Sequence, residues 1–230
     1  MAFGFLTLSY IVFLFTDEPH MPKPPREAHH SFKGQFGRMR MILREDGEFR
    51  TYLMARILGT TVFATVPYMA VTALEVTGRP DAFTGRLLAF QMSGAILGNL
   101  LGGWLGDTLG SRRVLISARS SFMLSCACLL LLPTALGFCL AFLLWGMTRA
   151  QQVIGEQTFL VEISKGRPMP AYVGIASLAQ LLSVLAMAGI SLQLRKWFPG
   201  ILPVALFSLA GMVGSAWLLK TRVREPRGSR

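Results

Sequence analysis

The run Arg149-Ala-Gln-Gln152-Val-Ile-Gly-Glu156 has the most chemically pointed spacing in the chain. On a helix, positions three and seven beyond Arg149 fall on its own face, so a guanidinium, an amide and a carboxylate project in one stripe. Such a stripe can line a central cavity, with Arg149 holding an anionic group or a carboxylate and Glu156 available to a proton. The plainer alternative has Arg149 neutralised by a partner from another helix and Glu156 pairing with basic residues of a nearby loop. Gln91, Asn99 and Gln180 are lone polar residues in apolar surroundings. They are further cavity candidates, although such residues more often make an interhelical hydrogen bond than a ligand contact. Arg56 stands close enough to the end of its apolar segment for the long side chain to snorkel out of it.

Other chemistries find little support. Cys126 and Cys128 are two apart, so on a helix they point to nearly opposite sides, and Cys139 is apolar-flanked as well; no disulfide framework is expected. His20, His29 and His30 all lie in a polar stretch and make a poor metal site. No nucleophile elbow, phosphate-cradling glycine loop or pair of carboxylates is present, so neither an enzyme, a cofactor nor a metal is expected.

The elements that must position the stripe are membrane helices. The chain is 52% hydrophobic and 15% charged over 230 residues, with a mean hydropathy of +0.49, too apolar for an ordinary soluble domain. Glycines at 94, 98, 102, 106 and 110 mark every fourth position of GAILGNLLGGWLGDTLGSRR. At 3.6 residues per turn they draw a bare stripe along which a neighbouring backbone can approach closely. In water each would weaken the helix by about 1 kcal/mol relative to alanine. The bilayer accounts for them better.

Hydropathy and punctuation predict six spans, at 50–75, 84–105, 114–133, 135–160, 170–194 and 198–219, separated by Gly78-Arg79-Pro80-Asp81, Pro133, Pro168 with Pro170, and Pro199-Gly200. Pro67 is expected to kink the first span. The net charge of +11 does not indicate nucleic acid, because the basic residues sit in loops. Of 23 Lys and Arg, seventeen fall on one face: seven from Lys23 to Arg50, then Arg112, Arg113 and Arg119, Lys165 and Arg167, and five from Lys220 to Arg230. The opposite face has Arg79, Arg86, Arg195 and Lys196, so both termini are expected to be cytoplasmic, in an inner (plasma) membrane.

Four regions follow. Residues 1–15 are apolar but short, and are read as the remnant of a preceding transmembrane helix, since the charged n-region and small-x-small site of a signal peptide are missing. Residues 16–48 are a basic cytoplasmic linker. It is either a solvated tether or, from Phe32, Phe36, Met39 and Leu43 at helical spacing, an amphipathic helix at the membrane interface. Residues 49–220 form the six-helix bundle and 221–230 a basic cytoplasmic tail.

The segment Gly103-Trp-Leu-Gly-Asp107-Thr-Leu-Gly110-Ser-Arg112-Arg113 resembles the loop motif G-x-L-x-D-R-x-G-R-R-x of the major facilitator superfamily, and falls between the second and third spans, where each six-helix half of those transporters carries it. Thr108 and Ser111 depart from the motif. The long basic linker, the six spans and Tyr172-Val-Gly174 opening the fifth resemble the carboxyl-terminal half of such a transporter. The resemblance implies an all-α membrane protein, one six-helix bundle of the two that enclose a solute pathway. It also implies transport of a small solute by alternating access, with a proton as a coupling ion suggested by Glu156 and family habit. Its partners would be the lipid bilayer and a missing amino-terminal half or a second copy of the chain. Asp107, Arg112 and Arg113, with Gly103 and Gly110, would form a latch that holds one conformation; the alternative for them is a solvated turn that sets topology. A helical scaffold or assembly partner that transports nothing is the rival function, but it has no need of Arg149, Gln152 and Glu156 in register.

Overall fold

The computed structural model describes residues 32–78, 80–164, 169–198, 200–223 and 225. The expected remnant helix at 1–15 and all three histidines lie outside them. Residues 38–230 form one compact unit. Eight helices are described: α1 Phe32–Glu45, α2 Gly47–Gly59, α3 Val62–Thr77, α4 Pro80–Leu109, α5 Ser111–Leu131, α6 Ala135–Ile163, α7 Met169–Trp197 and α8 Leu202–Thr221. Among the described residues, four stretches are long and apolar enough to cross a membrane: Gly47–Thr77, Ser111–Leu131, Met169–Trp197 and Leu202–Thr221. The other two long helices, α4 with 30 residues and α6 with 29, are more polar, in α6 because Arg149, Glu156 and Glu162 interrupt it.

The linker's second half is helical, and from Met39 on α1 leans on the bundle: Met39, Ile42 and Leu43 pack against a cluster that includes Phe49, Tyr52, Phe159 and Tyr172. Asp46 then stops one helix and starts the next. Its Oδ1 accepts from the Phe49 amide at 2.9 Å, capping α2, and its Oδ2 accepts from the Tyr172 hydroxyl at 3.0 Å, which ties the start of α2 to α7.

The first span is interrupted, but not where proline predicts. Pro67 sits inside α3, whereas the break falls at Thr60 and Thr61. Their hydroxyls bond back to the carbonyls of Ile57 and Leu58 at 2.7 and 2.8 Å, offering the backbone an alternative to the helical ladder. The same region is joined to α8 by a polar seam. Thr61 and Thr65 hydroxyls donate to the Ser208 and Val204 carbonyls at 3.2 and 3.0 Å, Thr65 also reaches the Ser208 hydroxyl at 2.7 Å, and Ser208 donates to the Thr61 carbonyl at 2.5 Å. Where lipid tails are as apolar as leucine, such bonds and small residues hold helices together.

The glycine stripe is the contact between α4 and α6. A Cβ on Gly94 would collide with the Leu143 carbonyl, one on Gly98 would lie 2.7 Å from Met147 Cα, and, from the other side, one on Gly146 would collide with the Gln91 carbonyl. These two backbones therefore touch. The stripe ends at Gly110, whose φ of +90° suits the turn between α4 and α5 and is one that a residue with a Cβ rarely adopts. An apolar cluster around Met69, Phe122, Phe138, Trp145 and Met212 fills one half of the bundle, and the cluster around Tyr52 and Tyr172 fills the other.

Candidate functional site

Four helices deliver charged or polar groups to one buried point. Arg56 lies nine residues into α2, Arg119 eight residues into α5, Glu156 seven residues before the end of α6, and Gln180 eleven residues into α7. At 1.5 Å per residue each is roughly 10 to 16 Å from the same end of the bundle. They share a level, and long side chains close the remaining gaps.

Glu156 is the hub. Its Oε2 pairs with Arg56 Nη2 at 3.0 Å, and its Oε1 faces Arg119 Nη2 at 3.8 Å while accepting from Gln152 Nε2 at 2.8 Å. Arg56 Nη2 also donates to Gln180 Oε1 at 2.5 Å. Arg119 lies flat against Gly59, where a Cβ would meet the guanidinium at 2.5 Å, and its Nε donates to the Ser215 hydroxyl at 3.1 Å, which in turn donates to the Ala55 carbonyl at 2.6 Å. Arg119 is 1% exposed, Arg56 7% and Glu156 6%. Tyr52, four residues before Arg56 and stacked on Phe159 with ring centroids 4.4 Å apart, brings its hydroxyl within electrostatic reach of Glu156 and both arginines.

Two sequence expectations change here. Arg56 does not snorkel; it turns inward, where Glu156 and Gln180 partner its Nη2. Arg119, counted among the basic residues of a loop, is a fully buried side chain. Arg119 was legible only as a charge eight residues inside an apolar helix, a signal that an uncertain helix boundary conceals.

Arg149 stands apart from this hub. At the midpoint of α6 and half-buried, its guanidinium lies 5.7 Å from the Phe63 ring and 5.9 Å from the Trp145 ring, and no carboxylate pairs with it among the described residues. Arg149, Gln152 and Glu156 share the face of α6 that looks toward α2 and α3, but at different levels: Arg149 between aromatic rings at mid-helix, Gln152 about one turn on and Glu156 two turns on, in the ionic cluster. Gln180 joins the cluster. Gln91 is half-buried at the close approach of α4 to Gly146, and Asn99 is exposed on α4.

The loop motif makes different contacts from a bond between Asp107 and its arginines. Asp107 and Arg113 are exposed, and Gly103 faces open space. Arg112 instead donates to the Val223 carbonyl at 2.8 Å and lies 3.7 Å from Glu225 Oε2, whose carboxyl also rests against Gly110. Ser111, at the start of α5, donates to Glu162 at 2.5 Å. Burial raises the Glu225 carboxyl above the usual carboxylate range, opposed by the Arg112 backbone N–H and reinforced by Glu162 nearby. The motif turn thus holds the segment that follows α8.

No three His, Cys, Asp or Glu side chains gather into a metal-binding group among the described residues. The chemistry that these described residues offer is charge recognition inside an apolar bundle.

No curated protein and no solved structure matches the chain. The family model of the Major Facilitator Superfamily matches residues 1–188, which include α1 to α6 and most of α7. The chain belongs to the Major Facilitator Superfamily, a family of multi-pass membrane transporters.

Proposed function

We propose that this chain is the carboxyl-terminal six-helix half of a secondary transporter that moves a small solute across the inner membrane by alternating access, with both termini cytoplasmic. In this reading α4 and α6 cross the bilayer beside the four more apolar stretches. Their lengths of 30 and 29 residues are ample, and in α6 Thr148, Gln151, Gln152, Glu156 and Glu162 are buried within protein. A second bundle, an amino-terminal half or another copy, completes the pathway. The weakly buried α7, with Leu181, Leu182 and Leu185 exposed, offers a face for it.

The observation that carries the reading is Arg149. A guanidinium at mid-bilayer costs about 2.5 to 3.5 kcal/mol on insertion scales, and one without a carboxylate partner has only ring quadrupoles to offset that cost. Arg56 and Arg119 share the Glu156 carboxylate, whereas Arg149 is held by two rings and left half-open, as a solute-binding cation would be. Gln152, Glu156 and Gln180 extend the polar face one level toward the cytoplasm, where Glu156 can serve a coupling proton. Asp107, Arg112 and Arg113, with Gly103 and Gly110, act as the latch between conformations.

The test is Arg149→Ala in the full-length protein, with solute flux measured in vesicles or cells and membrane insertion measured in parallel. Loss of flux with normal insertion is expected. Retained flux removes Arg149 from the pathway.

A further inference from the structure

The ionic hub carries more positive charge than its own members balance. Two guanidinium groups face one carboxylate, and the ion pairs of Arg56 and Arg119 among the described residues are with Glu156 alone, which leaves one unit of positive charge. The geometry is also unfinished. Arg119 Nη1 and Arg56 Nε and Nη1 are buried donors with no well-aligned acceptor in the protein, and the Tyr52 hydroxyl, whose oxygen lies within reach of Arg56, has no acceptor for its own proton. An unpaired charge or donor in a low-dielectric interior is costly, and these donors all belong to side chains gathered around Glu156.

We propose that Arg56, Arg119 and Tyr52 bind a singly charged anion, either an inorganic ion such as chloride or the carboxylate of a small organic acid. Glu156 occupies one side of the two guanidinium groups and sets the remaining charge to one. The anion occupies the other, taking hydrogen bonds from the donors Glu156 does not use. Donors outnumber free acceptors there, which favours an anion over a cation. The site lies two helical turns from Arg149 and involves α2 and α5, so it depends only on the bundle lying in a membrane, and not on what Arg149 carries.

Anion-dependent thermal unfolding of the purified protein, at constant sodium and constant ionic strength, tests this. Chloride, acetate and benzoate are each exchanged against a sulfonate buffer anion too bulky to enter the bundle. A ligand that binds only the folded state raises the unfolding midpoint in proportion to the logarithm of its concentration above Kd. The wild type is expected to show that rise with chloride, with the carboxylates, or with both. Chloride alone identifies an inorganic ion, and carboxylates alone identify the acid group of an organic ligand. Arg119→Leu leaves Arg56 and Glu156 as a neutral pair and is expected to lose the dependence. Glu156→Gln doubles the net positive charge and is expected to lower the half-saturating concentration by about tenfold or more, the opposite sign from a purely structural ion pair. An unfolding midpoint indifferent to the anion in both the wild type and Glu156→Gln overturns the proposal, as does an undiminished anion effect in Arg119→Leu. Because Arg149→Ala should keep the anion effect while losing flux, failure of this proposal and failure of the transport reading give different results.

Discussion

Alanine substitutions along the glycine stripe of α4 should rank by what the new methyl group meets. At Gly94 the obstacle is the Leu143 carbonyl, part of a helix backbone that cannot swing aside. At Gly98 the Cβ would lie 2.7 Å from Met147 Cα, whereas ordinary contact begins near 3.4 Å, so α4 and α6 must separate by about 0.7 Å along much of their length. At Gly102 the nearest atom is the end of the Ile154 side chain at 3.2 Å, which can rotate away. At Gly103 nothing lies within 4 Å. Overpacking costs about 1–3 kcal/mol, and the helix gains up to about 1 kcal/mol from replacing glycine by alanine. Gly98→Ala should therefore destabilise by up to about 3 kcal/mol net, Gly94→Ala by more, Gly102→Ala should be near neutral, and Gly103→Ala should stabilise. Reversible unfolding in mixed detergent micelles, read by far-ultraviolet circular dichroism, measures the series. Equal effects at Gly98 and Gly103 would refute the argument that the stripe is a helix contact.

Two further predictions concern the ends of the bundle. Asp46→Ala removes the α2 cap, worth about 1 kcal/mol, together with the bond from Tyr172, worth about 1.5 to 3 kcal/mol when the acceptor is charged. Tyr172→Phe removes only the second, so Asp46→Ala should lower the unfolding midpoint more; the reverse order would show that Asp46 does not join α2 to α7. At the other contact, the Glu225 carboxyl is raised in the folded protein, which keeps its proton to a higher pH than the unfolded chain does. Docking of the segment after α8 should accordingly be firmest below the ordinary carboxylate range and loosen as pH rises through the raised value. Limited proteolysis at the carboxyl terminus across pH 4 to 8 reads this, and Glu225→Gln should flatten the profile.

Much of this was legible in the residues, for reasons that differ by element. Hydropathy and loop charge are sums over local sequence, so the membrane environment and the motif between α4 and α5 needed no tertiary information. The glycine stripe was legible because close helix packing leaves a mark at every fourth residue. Break positions were less so: Pro67 is the stronger sequence signal, yet paired threonines at 60 and 61 interrupt the span, since their hydroxyls compete for carbonyls only once the chain is already helical.

By itself, then, the sequence determined that this protein lives in lipid, that its helices run through glycine-lined contacts, and that charges lie within its spans. Which charges meet was decided only by the packed bundle. Arg56, Arg119 and Glu156 come from three helices, and whether an arginine turns outward or inward depends on the rotation and depth at which its helix packs. Those are set by every contact along the helix together and not by the residues near the charge. The same global packing set Arg149 between two rings, and brought Glu225 to Gly110 across more than a hundred residues of chain.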